Sequence, residues 1–445
     1  MLIEFKVKNF LSFEKEEVFS MIAGKGRGFS ERVYKDNQHK LLKFSALFGS
    51  NGSGKSNFVK AIAFSRNYIL RENNRAIIQK YYKLNPNCKN TPSLFSYKIK
   101  VNGLTYTYGF EIILSNNEII NEWLIANKRT DEVIFKHERL TNNLIVGNSI
   151  KNNVFIERLN LYAESLSSDN NTLFLNFINK YKKLHIDFPE SKVFQDIYNW
   201  FNYKLKVKSP DSPFSDYAYF ISEKNMDDIL KFFSDFDLSI SNYDFAKCSK
   251  EQIASNLPKE VFIDLFTNIE KELYLGNNVR ENRIMFGVND DFYIAKLVDD
   301  EIVFETLIFY HENSSIPFTI NEESDGTKKI LKLLEMLFQE DDSVVYIVDE
   351  IDRCLHPLLT YNFINAYLEK AVSKNCQLIA TTHESILLDF KLLRKDEIGL
   401  ISKKEGSSKI ESLGDTQIRS DKVLVKEYLL GQKGTPHIIN NAYKS

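Results

Sequence analysis

A chain of 445 residues has room for two or three domains and a full hydrophobic core, and 43% hydrophobic with 27% charged residues is an ordinary globular composition. A formal net charge of −2 excludes a chain that is basic throughout, so a nucleic-acid surface would have to be a local patch. No apolar run approaches the ~20 residues needed to span a bilayer. Met1-Leu2-Ile3-Glu4-Phe5-Lys6 lacks a signal-peptide core, and Cys88, Cys248, Cys354 and Cys376 show no C-x-x-C spacing. The expectation is a reduced, cytoplasmic protein with no membrane partner, zinc site or disulfide framework.

Ile3, Phe5 and Val7 alternate with Glu4, Lys6 and Lys8, the period of a half-buried strand, and Val18-Phe19-Ser20-Met21 is a second short apolar segment. Phe44 to Phe48 reads as a buried strand. It runs into Gly49-Ser50-Asn51-Gly52-Ser53-Gly54-Lys55-Ser56, which matches G-x-x-x-x-G-K-[ST]. The glycines let successive N–H groups turn toward one phosphate and keep Cβ atoms out of its way. Lys55 brings a positive charge to the β/γ-phosphates, and the Ser56 hydroxyl is placed to ligate Mg²⁺. Asn57 to Ala63 then starts a helix whose N-terminus faces the anion.

Phe95-Tyr97-Ile99-Val101 alternates, meets Asn102-Gly103, and returns as Leu104-Tyr106-Tyr108-Phe110-Ile112, which predicts a hairpin. Ile119 to Ala126 and Glu132 to His137 extend it into an antiparallel meander. From Ile150 to Val288 the pattern is helical and irregular, with helices over 170–183, 193–203, 226–236 and 261–275 and no sustained coiled coil. Tyr198, Trp200, Phe201 and Tyr203 run into Lys204, Lys206 and Lys208, a combination that can stack bases and hold phosphates. The favoured reading is plainer: a helix burying Trp200 and Phe201, then a strand with solvated lysines. A second β-rich stretch covers Phe292 to Ile320.

In the last third, Ser343 to Val348 is a continuous apolar strand ending in Asp349-Glu350. Asp349 can bind Mg²⁺, and Glu350, across the pleat, can orient or deprotonate an attacking water. Upstream, Glu323-Ser324-Asp325-Gly326-Thr327 opens a strongly apolar helix and offers N–H groups and a hydroxyl to an anion, although alone it is only a well-capped helix. Downstream, Gln377-Leu378-Ile379-Ala380-Thr381-Thr382-His383 is another buried strand, ending at a histidine.

In this order the motifs resemble the ABC-type ATPase heads, within the branch of RecF-like, SMC-like and overcoming-lysogenisation-defect ATPases. The nearest resemblance is to the AAA-family ATP-binding proteins of bacterial abortive-infection systems. It rests on Phe5-Lys6-Val7-Lys8-Asn9-Phe10, Phe48 to Asn57, Glu323 to Thr327, Val348-Asp349-Glu350-Ile351-Asp352 and Thr381-Thr382-His383-Glu384. The tail Arg419-Ser420-Asp421 to Gly434-Thr435-Pro436 also resembles that family's ending. The likeness covers about the first 140 and last 150 residues, and the middle matches nothing recognised. It implies that Ser324, Asp325, Gly326 and Thr327 correspond to the signature that contacts ATP held by a second subunit. His383 becomes the switch histidine, and Asp352 or the Leu355-His356-Pro357 turn lies in the D-loop. The signature is not the transporter-type Ser-Gly-Gly-Gln, and no Q-loop glutamine is identified; Gln79 lacks a supporting pattern.

The expected fold is α/β, an ABC-type P-loop ATPase head with an antiparallel β-subdomain and a large helical insertion. One ATPase lobe would span 1–145, a lid or docking insertion 146–288, and a second lobe 289–445. Gly49 and Asp349 lie 300 positions apart, more than a compact transporter ATPase needs. The expected activity is Mg²⁺-dependent ATP hydrolysis by a sandwich homodimer or higher oligomer. It would serve as sensor of an anti-phage system and control a separate effector such as a nuclease, with DNA or a phage protein as trigger. The roughly 60 residues after Asp389 are too few for a Toprim-type nuclease domain in the same chain. The rival reading is a RecF/SMC-like repair ATPase that binds DNA directly.

Overall fold

The computed structural model describes residues 1–26, 28–70, 79–181, 187–210, 218–254, 257–275, 283–312 and 314–415. The family-like tail from Arg419 to Pro436 lies outside the described residues. Contacts divide the chain into two units. The first comprises Met1–Pro210, Asp341–Asp352 and Leu368–Ser445; the second comprises Asp211–Glu340 and Arg353–Tyr367. The stretch 146–288 is therefore shared between the two.

In the first unit, the alternation of Leu2–Lys8 buries Ile3, Phe5 and Val7 and leaves Glu4 and Lys6 at the surface. This strand pairs antiparallel with Glu17–Ser20 on one side and Ser93–Val101 on the other. The sheet continues through Leu104–Ile113, Glu118–Asn127 and Asp131–Glu138 to Asn143–Val146, seven strands in all. The hairpin at Asn102-Gly103 has both residues left-handed, with φ 48° and 82°, as a two-residue turn matched to strand twist requires.

The second sheet of this unit is parallel over five strands. Its order is Leu205–Lys208, Val345–Val348, Gln377–Thr381, Phe44–Phe48 and Ile398–Lys404, with Ser407–Ser412 added antiparallel at the edge. Phe44–Phe48, Val345–Val348 and Gln377–Thr381 are buried at every position, as strands covered on both faces are. The helix Lys55–Leu70 starts two residues earlier than the sequence pattern placed it. Its Phe58 and Phe64 pack on Phe5, Phe19, Phe10 and Phe95 of the antiparallel face, with ring centroids 5.0–5.9 Å apart. Gln377 closes the unit across the sequence. Its Oε1 accepts from Leu2 N at 2.6 Å, and its Nε2 donates to the carbonyls of Leu2 and Leu42 at 3.0 Å each.

Helices form over Asn153–Ser165, Phe174–Tyr181 and Lys192–Asn199, and their buried residues join the same core cluster. Trp200 and Phe201 are buried, and the Phe201 ring meets Tyr97 edge-on at 5.0 Å. The strand that follows is a member of the parallel sheet, and its lysines are engaged there. Lys204 pairs with Asp341, and Lys206 lies 5.8 Å over the Tyr346 ring. The plainer reading holds for Trp200 and Phe201, which have no face left for a base, whereas the lysines are half-buried rather than fully solvated.

The second unit contains the helices Met226–Asp235 and Lys259–Leu275 and a mixed-order antiparallel sheet. That sheet runs Ile240–Cys248, Glu301–His311, Asp291–Val298, Arg283–Val288, with Phe318–Thr319 against Glu301–His311. Two of these strands, Ile240–Cys248 and Arg283–Val288, fall within the stretch read as helical. The helix Asp325–Phe338 carries Ser324 as its N-cap. No helix among the described residues is long and apolar enough to cross a membrane.

Candidate nucleotide site

Parallel strands present their C-terminal ends on one side, and in the first unit three such ends converge. Phe44–Phe48 leads into Gly49–Ser56, Val345–Val348 leads into Asp349-Glu350, and Gln377–Thr381 leads into Thr382-His383. Gly52 and Gly54 take φ +77° and +117°, backbone conformations that turn the intervening N–H groups inward. Gly54 is the tighter constraint. A Cβ there would overlap Ser408 Oγ and lie 2.9 Å from Ser12 Oγ.

Lys55 is 5% exposed, and its Nζ donates to the carbonyls of Gly49 at 2.7 Å and Ser50 at 3.2 Å. It forms no ion pair among the described residues. Burial pushes its pKa down to about 8, against the attraction of Asp349, Asp352 and Glu350, so its charge is held without a close counter-ion. Ser53 Oγ is buried and has no hydrogen-bond partner among the described residues. A desolvated cation, an unpaired hydroxyl and inward N–H groups at a helix start fit a polyphosphate.

The acidic side of the site is held by a threonine. Thr381 Oγ1 donates to Asp349 Oδ1 at 2.6 Å and accepts from Glu350 N at 2.8 Å. Ser56 Oγ donates to the same Asp349 oxygen at 3.3 Å, so one hydroxyl and one carboxylate stand together as donors for a divalent cation. Glu350 has φ +48°, left-handed for a non-glycine residue. His383 Nδ1 is 3.5 Å from Lys55 Nζ, and His383 N donates to Asp352 Oδ2 at 3.3 Å. Burial and then the Lys55 charge lower the His383 pKa, so the ring is neutral at pH 7.

The residues Gly49, Ser50, Asn51, Gly52, Ser53, Gly54, Lys55, Ser56, Asn57, Asp349, Glu350 and His383 thus lie in one unit around three strand ends. Ser324, Asp325, Gly326 and Thr327 belong to the other unit, where Ser324 Oγ accepts from Thr327 N at 3.1 Å and lies 2.8 Å from Thr327 Oγ1. Three residues were not read from the sequence: Thr381, Ser12 and Ser408. Asn57 Nδ2 donates to Ser12 Oγ at 2.9 Å, and Ser408 Oγ is shared between Ser12 Oγ at 2.8 Å and the Ser53 carbonyl at 2.5 Å. These serines clamp the back of the phosphate loop. Thr381 had a usable signal, being the last polar residue of a buried strand, whereas Ser12 and Ser408 had none.

A family model described as "AAA domain, putative AbiEii toxin, Type IV TA system" matches residues 44–389. Ser12 and Ser408 lie outside the matched range. No curated protein matches the sequence. Among solved structures, an SmcHead bound to the C-winged helix domain of ScpA is 13% identical with TM-score 0.41, covering 95% of this chain and 99% of that one. The SMC head domain from Thermotoga maritima is 12% identical with TM-score 0.34, covering 92% and 98%. An Smc head domain with an extended coiled coil, bound to the C-terminal domain of ScpA derived from Pyrococcus furiosus, is 14% identical with TM-score 0.39, covering 97% and 98%.

Proposed function

The chain belongs to this AAA-domain family, and from that premise we propose that it binds ATP and hydrolyses it to ADP and phosphate as the regulatory ATPase of a phage-defence system. The observation that carries the ATPase reading is the buried Lys55, without an ion pair among the described residues, in the same unit as Asp349, Glu350 and His383. Backbone N–H groups of Gly49 to Ser56 cradle the β- and γ-phosphates, and Lys55 neutralises their charge. Ser56 and Asp349 would hold Mg²⁺, which would withdraw charge from the phosphate oxygens. Glu350 takes the proton of the attacking water, and neutral His383 orients the γ-phosphate beside Lys55.

Ser324 to Thr327 completes the site from a second copy of the chain, as an N-capped helix start offering N–H groups to the γ-phosphate. ATP binding is then also a dimerisation event, and the state of the second unit reports it to a separate effector, with a nuclease as the class favoured. DNA or a phage protein acts as trigger. This defence role draws on the family description and on the sequence resemblance.

The test compares ATP turnover and particle mass for wild type and Glu350→Gln. Turnover is expected to fall roughly 10²-fold or more in the variant while ATP binding persists and the dimer accumulates. Unchanged turnover would remove Glu350 from the chemistry, and a monomer in every nucleotide state would end the sandwich mechanism. Salt-sensitive DNA binding that stimulates turnover without a protein partner would replace the defence role by direct DNA recognition.

A further inference from the structure

Thr381 reaches both acidic residues of the site through its hydroxyl. It ends the strand Gln377–Thr381, between Val345–Val348 and the phosphate-loop strand, and is 1% exposed. The polarity of its bonds is forced. Glu350 N–H can only donate, so Thr381 Oγ1 accepts there at 2.8 Å, and its one proton goes to Asp349 Oδ1 at 2.6 Å. The Thr381 carbonyl also accepts from Ile351 N at 3.0 Å, so side chain and main chain together grip the turn Asp349-Glu350-Ile351. That turn needs gripping, because Glu350 sits at φ +48°, which a residue with a Cβ adopts at a cost in strain.

We propose that Thr381 is the positioning residue of ATP hydrolysis, fixing the rotation of the Asp349 carboxylate toward the Mg²⁺ site and the backbone of Glu350 behind the attacking water. The assignment rests on the ATPase reading above. It goes beyond that reading by giving one hydroxyl control of metal affinity and of base placement together. Serine keeps the hydroxyl and preserves the function. Valine keeps the shape and loses it, stranding Glu350 N–H and one Asp349 lone pair in a buried place.

The experiment uses the full chain with Thr381 as Val, Ala or Ser. ATP affinity is measured at equilibrium with a fluorescent ATP analogue, in Mg²⁺ and in EDTA, alongside steady-state turnover and thermal unfolding. In Thr381→Val and Thr381→Ala, the tightening that Mg²⁺ brings to nucleotide binding shrinks on the order of 10- to 100-fold, and kcat falls similarly. Affinity in EDTA changes little, KM in Mg²⁺ rises in step with the lost tightening, and Thr381→Ser stays near wild type. Valine at wild-type Mg²⁺ dependence and kcat overturns the proposal. So does an equal loss of affinity in EDTA that serine fails to rescue, which marks a merely structural residue. If the wild type binds ATP without turnover, the hydrolysis reading fails, and the Mg²⁺ affinity arm alone decides whether Thr381 orients Asp349.

Discussion

Gly54→Ala is the substitution whose cost can be built most directly from this geometry. The residue stands at φ +117°, where an L side chain is strained by about 1–3 kcal/mol. The added Cβ lies 2.9 Å from Ser12 Oγ and from Ser408 Cβ and overlaps Ser408 Oγ. Ser408 must move, giving up its bonds to Ser12 Oγ at 2.8 Å and to the Ser53 carbonyl at 2.5 Å, each about 1 kcal/mol. The sum, about 3–5 kcal/mol, corresponds to a loss of ATP affinity of roughly 10²–10⁴-fold if the loop is needed in this shape for phosphate. Isothermal titration calorimetry of the folded variant reads it. The decisive comparison adds Ser408→Gly, which removes the obstructing atoms and leaves the dihedral strain. The double variant should bind roughly tenfold better than the sum of the single losses predicts. Strict additivity, or Gly54→Ala within threefold of wild type, would refute the clamp.

Two further outcomes follow from buried charges. Glu122 is fully buried and accepts from Phe174 N at 2.5 Å, Leu175 N at 2.9 Å and Tyr108 Oη at 2.9 Å, and burial pushes its pKa up to about 7. The raised value means the folded state resists ionisation, so stability is highest at or below about pH 4.5 and falls as pH rises toward about 7. The full effect is on the order of 3 kcal/mol. Chemical denaturation across that window should show this slope in wild type and lose it in Glu122→Gln; identical slopes would contradict the assignment. Lys55, at about 8, has to be protonated to attract phosphate, so ATP affinity should hold to pH 8 and then fall about tenfold per pH unit up to about pH 10. Lys55→Arg should flatten that profile, and a flat wild-type profile would count against the buried-cation account.

What the sequence made legible was whatever is local. The phosphate loop, the Asn102-Gly103 hairpin and the strand before Asp349 each depend on residues within a dozen positions, and all three appear where the patterns placed them. Pairing across the chain was not legible. Leu205–Lys208 carries two lysines in four residues and reads as a surface strand, yet it lies parallel to Val345–Val348 as one edge of the central sheet. Ile240–Cys248 was hidden because a register shift between Ile240 and Asn242 breaks its alternation, and its antiparallel pairing with Glu301–His311 is fixed only by contact. Ser12, Thr381 and Ser408 were missed for the same reason. A hydroxyl's role is set by what folds against it, and no spacing rule connects Ser12 to Ser408 across 396 positions.

The bond from Leu2 to Gln377 spans 375 positions and ties the antiparallel sheet to the parallel one, whose inner strand Phe44–Phe48 finds both its neighbours only after residue 376. Such separation makes for high contact order and slow folding. The strand pairings of the antiparallel sheet all lie before residue 147, so they can form while the rest is still being synthesised. The phosphate loop leaves the ribosome early but acquires its shape late, once Gln377–Thr381 and Ile398–Lys404 arrive on either side. A chain that stops before Ile398–Lys404 therefore carries the nucleotide motif without the strands that flank it.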